Sequence, residues 1–359
     1  MIESKRYSQQ VLTWLFIGIV MIFLQVVIGG ITRLTESGLS ITKWDVVSGT
    51  FPPLTEAGWQ KEFDLYKQTP QYREINEGMS FSDFKFIYFW EYVHRLWARV
   101  MGFVFLIPFI YFVVRKKLDS KLYKNLGIVM LLAILAATFG WIMVASGLIE
   151  RPWVNAYKLS LHLLIAFSVY VALLWTYINA KWDKPITNIK DKGIYTLFIW
   201  FTVFFILQLF LGGVLSGMRA AVVYPTWPDM HGSYFPSVIF DLNQWNADNF
   251  NNYDKNPFMP ALIHFLHRNT AYIVMIIGLI VSYRFIINKL DITNRLLYRK
   301  VGYIFAGFIF LQVLLGILTV LNSKGEIPVS LGVLHQMGAL LLITIVVYIL
   351  FLLKGTTDK

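Results

Sequence analysis

The chain has 359 residues, of which 57% are apolar and only 15% are charged, and it contains no cysteine. Soluble domains carry about 25% charged residues, so this composition favours a membrane protein over a soluble one. Without cysteine, disulfides, thiolate-bound metals and iron–sulfur clusters are excluded.

Eight apolar stretches are each long enough for a helix that crosses a bilayer, which needs about 20 residues. They cover residues 11–31, 84–113, 126–148, 157–179, 194–216, 260–287, 301–322 and 329–353. We therefore predict an all-α membrane protein with eight transmembrane helices. The N-terminal sequence shows neither a cleavable leader nor an Arg-rich transit peptide, which favours a bacterial plasma (inner) membrane over an organelle.

Membrane topology accounts for the net charge of +11. If the N-terminus lies inside, more than half of the 32 basic residues fall in the tails and short loops of the inner side. The long segments 32–83 and 217–259 instead balance their basic residues with acidic ones. Because basic loops stay in the cytoplasm, we predict cytoplasmic termini and two long loops on the periplasmic side. No nucleic-acid partner is expected.

The two halves of the chain repeat one pattern, which predicts two pseudo-symmetric four-helix bundles, residues 1–180 and 181–359. Since each half has an even number of helices, the bundles are related by an axis along the membrane normal. The glycine pairs of the pattern allow close approach of a neighbouring helix or of a flat ligand. The repeated features are Leu24-Gln25 and Leu207-Gln208, Gly29-Gly30 and Gly212-Gly213, Trp44 and Trp227, His94-Arg95 and His267-Arg268, and His162 and His335, with a further Leu311-Gln312 and Gly316.

Four histidines lie inside predicted spans, one on each even-numbered helix and at similar depth in the outer half of the bilayer. They are His94, His162, His267 and His335. Ionisable groups within a membrane are costly and usually functional. Two histidines at one depth can supply both axial ligands of a haem iron. We predict one such haem site in each half, because a di-iron centre needs more glutamates and zinc needs more ligands than each half offers.

Arginines near the outer ends of the helices could neutralise the propionates of these haems. Arg33, Arg95 and Arg268 are the candidates, with Arg99 nearby. Snorkelling towards the lipid headgroups is the alternative role.

Glu91 marks a difference between the halves, since the matching position is His264. Glu91 lies one turn before His94, on the same helix face. Beside a bound macrocycle, its carboxyl group could act as a base or stabilise developing positive charge. The alternative is a structural ion pair with a nearby arginine. The difference predicts one reactive haem and a second haem that serves it.

Taken together, these motifs resemble the haem A synthase family, in its mitochondrial-type branch, over nearly the whole chain. The resemblance implies an oxidoreductase that converts the C8 methyl of haem O into a formyl group, making haem A for cytochrome oxidase. It departs from some members, which carry a cysteine pair in the first outer loop. The matching segments are Gly29-Gly30-x-Thr32-Arg33-Leu34-Thr35-x-Ser37-Gly38-Leu39-Ser40, Glu91-Tyr92-x-His94-Arg95, Leu161-His162, His264-x-x-His267-Arg268 and Leu334-His335-Gln336.

The same resemblance implies a role for each half. His94 and His162 would hold haem O, with Glu91 as the catalytic residue beside the reacting edge. His267 and His335 would hold a haem b that relays electrons. The expected partners are haem O, membrane lipids, a haem O synthase (a farnesyltransferase) and cytochrome oxidase assembly factors, and a homo-oligomer is left open.

Two other functions remain open from the residues alone. A dihaem b-type electron-transfer protein, like a quinol oxidase or a ferric reductase, also needs paired histidines but usually places its haems near opposite faces. A transporter would need polar residues near the midplane. His231, in the second long loop, could cover a haem edge or be an ordinary loop residue. The residues identify neither the electron acceptor nor the source of the formyl oxygen.

Overall fold

The computed structural model describes residues 7–43, 51–148, 152–182, 192–287 and 294–354. The helices within these ranges are α1 (Gln9–Leu34), α2 (Glu56–Tyr66), α3 (Pro70–Glu74), α4 (Phe81–Val114), α5 (Ser120–Gly147), α6 (Ala156–Lys181), α7 (Lys192–Gly217), α8 (Ala220–Val223), α9 (Ala247–Asn251), α10 (Phe258–Ile287), α11 (Arg295–Leu321) and α12 (Val329–Leu353). Eight of these described helices are long and apolar enough to cross a membrane, and they coincide with the eight predicted spans. The predicted all-α membrane fold is therefore confirmed.

Capping residues set the ends of the long helices beyond the apolar stretches. Helix α5 begins at Ser120 because the Asp119 carboxylate accepts a hydrogen bond from the Leu122 amide at 2.8 Å. A side-chain acceptor at this position satisfies an amide that has no partner within the helix. Asn155 caps α6 in the same way, accepting from the amides of Tyr157 and Lys158. These caps fix where α5 and the histidine-bearing helix α6 begin.

The eight long helices form one packed body. Helices α1, α6, α7 and α12 pack together at the centre, while α4 packs on α1, α5 on α6, α10 on α7, and α11 on α10 and α12. One apolar core includes buried side chains from both halves, such as Leu15, Phe201 and Leu340. The division at residue 180 thus stays a prediction of internal repetition, within a core that both halves share.

Matching positions of the two halves meet at the junction between them. The Arg33 guanidinium donates to the Ser216 carbonyl at 3.1 Å, and Glu36 pairs with Arg219 at 3.0 Å. Both Glu36 and Arg219 have left-handed backbone, with φ of 57° and 53°. Since Glu36 and Arg219 follow the glycine pairs at the same spacing, the two chain reversals are built alike.

The two long segments between spans lie at the same end of the bundle, where Glu36 and Arg219 pair. The first contains α2 and α3, and the second contains α8, two short 3-10 turns and α9. In the first, Tyr66 is fully buried against the start of α4, and burial raises the pKa of its hydroxyl to about 12. Trp44 of the repeat lies outside the described residues. Which face of the membrane these segments occupy stays a prediction.

Candidate functional site

Each of the four intramembrane histidines lies against a glycine of the long helix that precedes its own. A Cβ atom added to any of these glycines would lie within 3.0–3.1 Å of the imidazole ring. Few real contacts are that close, so a larger residue would displace the ring. We call these glycines the seats of the histidines. The pairs are Gly29 with His94, Gly140 with His162, Gly212 with His267, and Gly316 with His335.

The second glycine of each Gly-Gly pair lets a helix of the other half approach. A Cβ at Gly30 would lie 2.9 Å from the Gln336 side chain of α12, and one at Gly213 would lie 2.9 Å from Ser160 Cα of α6. The two glycines of a pair therefore have different roles. The first seats a histidine within its own half, and the second allows close packing between halves.

The histidines form one couple in each half. His94 and His162 are close enough to interact electrostatically, as are His267 and His335. Buried Nδ1 atoms of His162 and His267 have no hydrogen-bond partner among the described residues. Unpartnered buried ring nitrogens are unusual unless a ligand satisfies them. Paired imidazoles with free ring nitrogens fit the two axial positions of a haem iron.

A glutamine lies one helical turn before three of the four seats, at Gln25, Gln208 and Gln312. Gln25 donates to the His94 carbonyl at 3.3 Å, and Gln312 donates to the His335 carbonyl at 2.9 Å. Gln208 lies 3.2 Å from His267 Nε2. Gln25 and Gln312 thus hold histidine turns and Gln208 contacts an imidazole ring, roles that the Leu-Gln-x-x-x-Gly pattern does not reveal.

All four imidazoles line one continuous cavity of about 1410 Å³. This exceeds the roughly 300–1,000 Å³ of an ordinary small-molecule pocket and leaves room for large, flat ligands. Its walls are mostly apolar, and its polar groups gather at the end near the long segments. The predicted residues that line it are His94, His162, His267, His335, Glu91, His264, Arg33, Arg95, Arg99 and Arg268. His231 does not line it; its ring is exposed and packs on Tyr224 at 5.2 Å.

Glu91 is almost completely buried, with 2% of its surface exposed, and four hydrogen bonds reach its carboxylate. Oε2 accepts from the Ser40 amide at 2.7 Å, the Ser40 hydroxyl at 2.7 Å and the Ile41 amide at 2.9 Å. Oε1 accepts from Arg95 Nη2 at 2.6 Å. The predicted ion pair with Arg95 therefore exists. A carboxylate has about four acceptor sites, so little capacity remains for taking up a proton.

The arginines at the rim of the cavity hold loop carbonyls. Arg95 donates to the Ile41 carbonyl at 3.3 Å, and Arg268 donates to the Pro228 and Tyr234 carbonyls at 2.5 and 2.7 Å. Arg33 reaches the end of α7 in the other half. The Nε atoms of Arg33 and Arg268 are buried without a hydrogen-bond partner among the described residues. Such donors fit an anionic group at the rim, as two haem propionates would provide.

His264 takes the place of Glu91 in the C-terminal half and has a different environment. It is 2% exposed, and its Nδ1 has no partner among the described residues. Its ring stacks on Tyr224 at 6.3 Å and 19°. Burial raises the pKa of Tyr224, which lies in the second long segment. Among the described residues, no cluster of donors like that around Glu91 surrounds His264, so the two halves differ in side-chain chemistry at this position.

Comparison with known proteins gives one consistent result. A family model described as cytochrome oxidase assembly protein matches residues 12–347. The haem A synthase of Flavobacterium johnsoniae is 36% identical to this chain, covering 96% of it and 98% of the relative. That of Flavobacterium psychrophilum is 38% identical, with coverage of 96% and 98%. That of Pelagibacter ubique is 34% identical, with 99% of each chain covered.

Proposed function

Since the chain belongs to the haem A synthase family of cytochrome oxidase assembly proteins, we propose that it oxidises the C8 methyl of haem O to a formyl group. The product, haem A, would serve cytochrome oxidase. The observation that supports this most directly is the asymmetry of two otherwise matching sites. Both have a seated histidine couple, but only the N-terminal one has a buried carboxylate beside it. His94 and His162 would hold haem O and haem A, and His267 and His335 would hold haem b.

When bound, haem O supplies the methyl group that reacts, and haem b supplies a centre for electron transfer. Glu91 contributes a fixed negative charge next to His94. Because its acceptor sites are filled by Ser40, Ile41 and Arg95, the geometry favours charge stabilisation over proton abstraction. A charge held by preformed hydrogen bonds needs no reorganisation as positive charge develops on a substrate.

The arginines would orient the macrocycle through its propionates. An arginine has five N–H donors, so the bonds of Arg268 to two loop carbonyls leave donors for a carboxylate. Arg33 and Arg95 would do the same in the N-terminal half. The carbonyl bonds keep each guanidinium at the rim, where a bidentate pair with a propionate would form.

For the cellular setting, we propose a bacterial plasma membrane with the long loops outside. This follows from the distribution of basic residues. A haem O synthase would deliver the substrate, and cytochrome oxidase assembly factors would receive the product.

The test is expression in a host that makes haem O but no haem A, followed by chromatography and mass spectrometry of extracted haems. We expect haem A with the wild type and its loss in His94→Ala, and we expect loss of haem b in His267→Ala but not in His94→Ala. His231→Ala, on the exposed loop, is the control and should keep activity. A protein that binds haem b and converts no haem O would instead be a dihaem electron-transfer protein.

A further inference from the structure

The cavity extends to different depths in the two halves. Here "below" means away from the long segments, along the helices. In the C-terminal half, the lining ends about 10–12 Å below the histidine level, taking a rise of 1.5 Å per residue. Its lowest residues are Phe205 on α7, Met275 on α10, Ile309 on α11 and Leu342 on α12.

In the N-terminal half, the same cavity continues about 16–22 Å below the histidine level, by the same helical rise. Its lowest residues are Trp14 on α1, Leu106 on α4, Val129 on α5 and Leu173 on α6. The extra length is present on all four helices. We call this lower part of the N-terminal cavity the apolar channel.

Side-chain size explains why only one half has the channel. In the C-terminal half, Phe198, Phe201 and Phe305 are fully buried, and the ring of Phe201 lies 5.6 and 5.0 Å from the other two. They fill the bundle below the haem site, and Ile309 packs onto Gly278 above them. Aromatic rings packed this closely leave no passage for a ligand.

The N-terminal half has smaller residues at the corresponding positions. Counting along each helix from the histidine seats, Gly18 matches Phe201, Leu15 matches Phe198, Val129 matches Phe305, and Ala133 matches Ile309. The channel ends at Trp14, whose ring packs on Phe105 at 5.6 Å. Small side chains therefore create the channel, and an aromatic pair closes its lower end.

The channel also opens sideways. Helices α10 and α11 pack on each other, whereas α4 and α5, both described in full, pack on each other only weakly. They meet at their lower ends, where the rings of Phe109 and Tyr123 are 5.7 Å apart, and the gap between them lies above this contact. No residue between Glu91 and Phe112 on α4 is buried, and none between Val129 and Gly147 on α5. A Cβ at Gly102, in the middle of α4, would meet nothing within 4 Å. The N-terminal half is thus open to lipid between these two helices.

We infer that the apolar channel takes the farnesyl-derived side chain of the substrate haem, which enters from the lipid between α4 and α5. The inference rests on the proposed function, because haem O carries this side chain and haem b does not. The channel is continuous with the histidine couple that has Glu91 beside it and is missing where the couple has His264. With the tail held below and the propionates above, the macrocycle has one orientation about the axis between the two imidazoles.

The channel would select the substrate haem by the room it offers to the side chain and not by added affinity. Lipid is as apolar as the channel, so burial of the tail adds little affinity. Filling the channel should therefore exclude the tail without weakening the haem ligands. Ala133→Phe places a ring in the channel, and Leu131→Phe, at a lipid-exposed position of the same helix, is its matched control.

The experiment titrates the full-length holoprotein with haem O and with protohaem, which has no tail, and follows binding by visible absorption. Ala133→Phe should weaken haem O binding on the order of tenfold, as expected for overpacking an apolar site, and leave protohaem binding unchanged. Leu131→Phe should change neither. Equal weakening of both haems by Ala133→Phe, or no change in either, would overturn the inference.

A second measurement uses the wild-type protein and a haem O analogue with a diazirine at the end of its tail. After illumination, we expect label on the lower channel, at Trp14, Gly18 or Phe105. Label on α10, α11 or the long segments, or on lipid alone, would contradict the channel. Conversion of haem O with label elsewhere rejects only the channel, and label in the channel without conversion rejects only the proposed activity.

Discussion

Hydrogen bonds around Glu91 decide what this carboxylate can do. Glu91→Gln keeps the shape of the side chain, removes its charge and turns one acceptor into a donor. Removal of a preorganised electrostatic group costs about 10²–10³ in rate, and we expect haem A formation to fall by that order while haem O stays bound. Product is measured by chromatography, and binding by visible absorption.

The control for this substitution is Glu56→Gln, at an exposed position of α2. Glu56→Gln should leave the rate unchanged. If Glu91→Gln retained more than about half of the wild-type rate, far from the 10²–10³ loss of a catalytic electrostatic group, Glu91 would be only the structural partner of Arg95.

Because each histidine has its own glycine seat, a single added methyl group should disturb one proposed haem site at a time. Gly29→Ala should push His94 aside and weaken haem O binding on the order of tenfold, as overpacking does, while haem b is retained. Gly212→Ala should displace His267 and weaken haem b binding, while haem O binding is retained. Gly127→Ala, where a Cβ meets nothing within 4 Å, is the control. Haem content per protein is the measurement, and loss of both haems in either variant would show that the seats do not act separately.

At the residue scale, the sequence reveals the candidate ligands but not the groups that hold them. The histidines can be picked out as candidates because an ionisable group inside a membrane is costly and is usually functional. The contacts of Ser40 and Ile41 with Glu91 come largely from backbone amides, which carry no residue-type signal. Arg268 likewise could be placed at the rim, but its carbonyl partners depend on how the second long segment folds back.

Among the elements, the second long segment depends on Arg268. The guanidinium bridges two carbonyls and stacks on the Tyr234 ring at 4.3 Å. Lysine has one compact ammonium, which cannot bond to both carbonyls and also stack on the ring. Since a hydrogen bond to a charged group contributes about 1.5–3 kcal/mol, we expect Arg268→Lys to speed amide hydrogen exchange in residues 224–236 at least tenfold. Arg284→Lys, in the last turn of α10, should not affect that segment. Unchanged exchange in Arg268→Lys would mean that the segment is held by its other contacts.

The long helices could be predicted because length and apolar content alone define a span. Their ends depend on polar caps outside the apolar stretch, as Asp119 shows for α5. The short helices α2 and α3 give no such signal. They are stabilised by packing of Phe63 and Tyr66 on Phe84, a contact between segments that local sequence does not encode.

For the whole molecule, the proposed duplication would account for both the likeness and the difference between the halves. Both histidine couples line one cavity, and each histidine has a matching glycine seat. Few substitutions are then needed to make the two sites differ. Glu91 in place of His264 changes the side chain next to the histidine couple, and Gly18 in place of Phe201 changes the depth of the cavity below it. Comparing the sequences of the two halves finds these positions, but only the packing shows that Gly18 in place of Phe201 opens a channel.

Orientation in the membrane can be tested directly, because the chain has no native cysteine to remove. Leu54→Cys and Leu242→Cys lie in the two long segments, at side chains that are 85% and 83% exposed. Ser120→Cys lies at the first residue of α5, directly after the connection that carries the basic run Arg115, Lys116 and Lys117. Basic connections stay in the cytoplasm, so an impermeant thiol reagent should label the first two in intact cells and Ser120→Cys only after lysis. Labelling of Ser120→Cys in intact cells would reverse the orientation and place both haem sites near the cytoplasmic face.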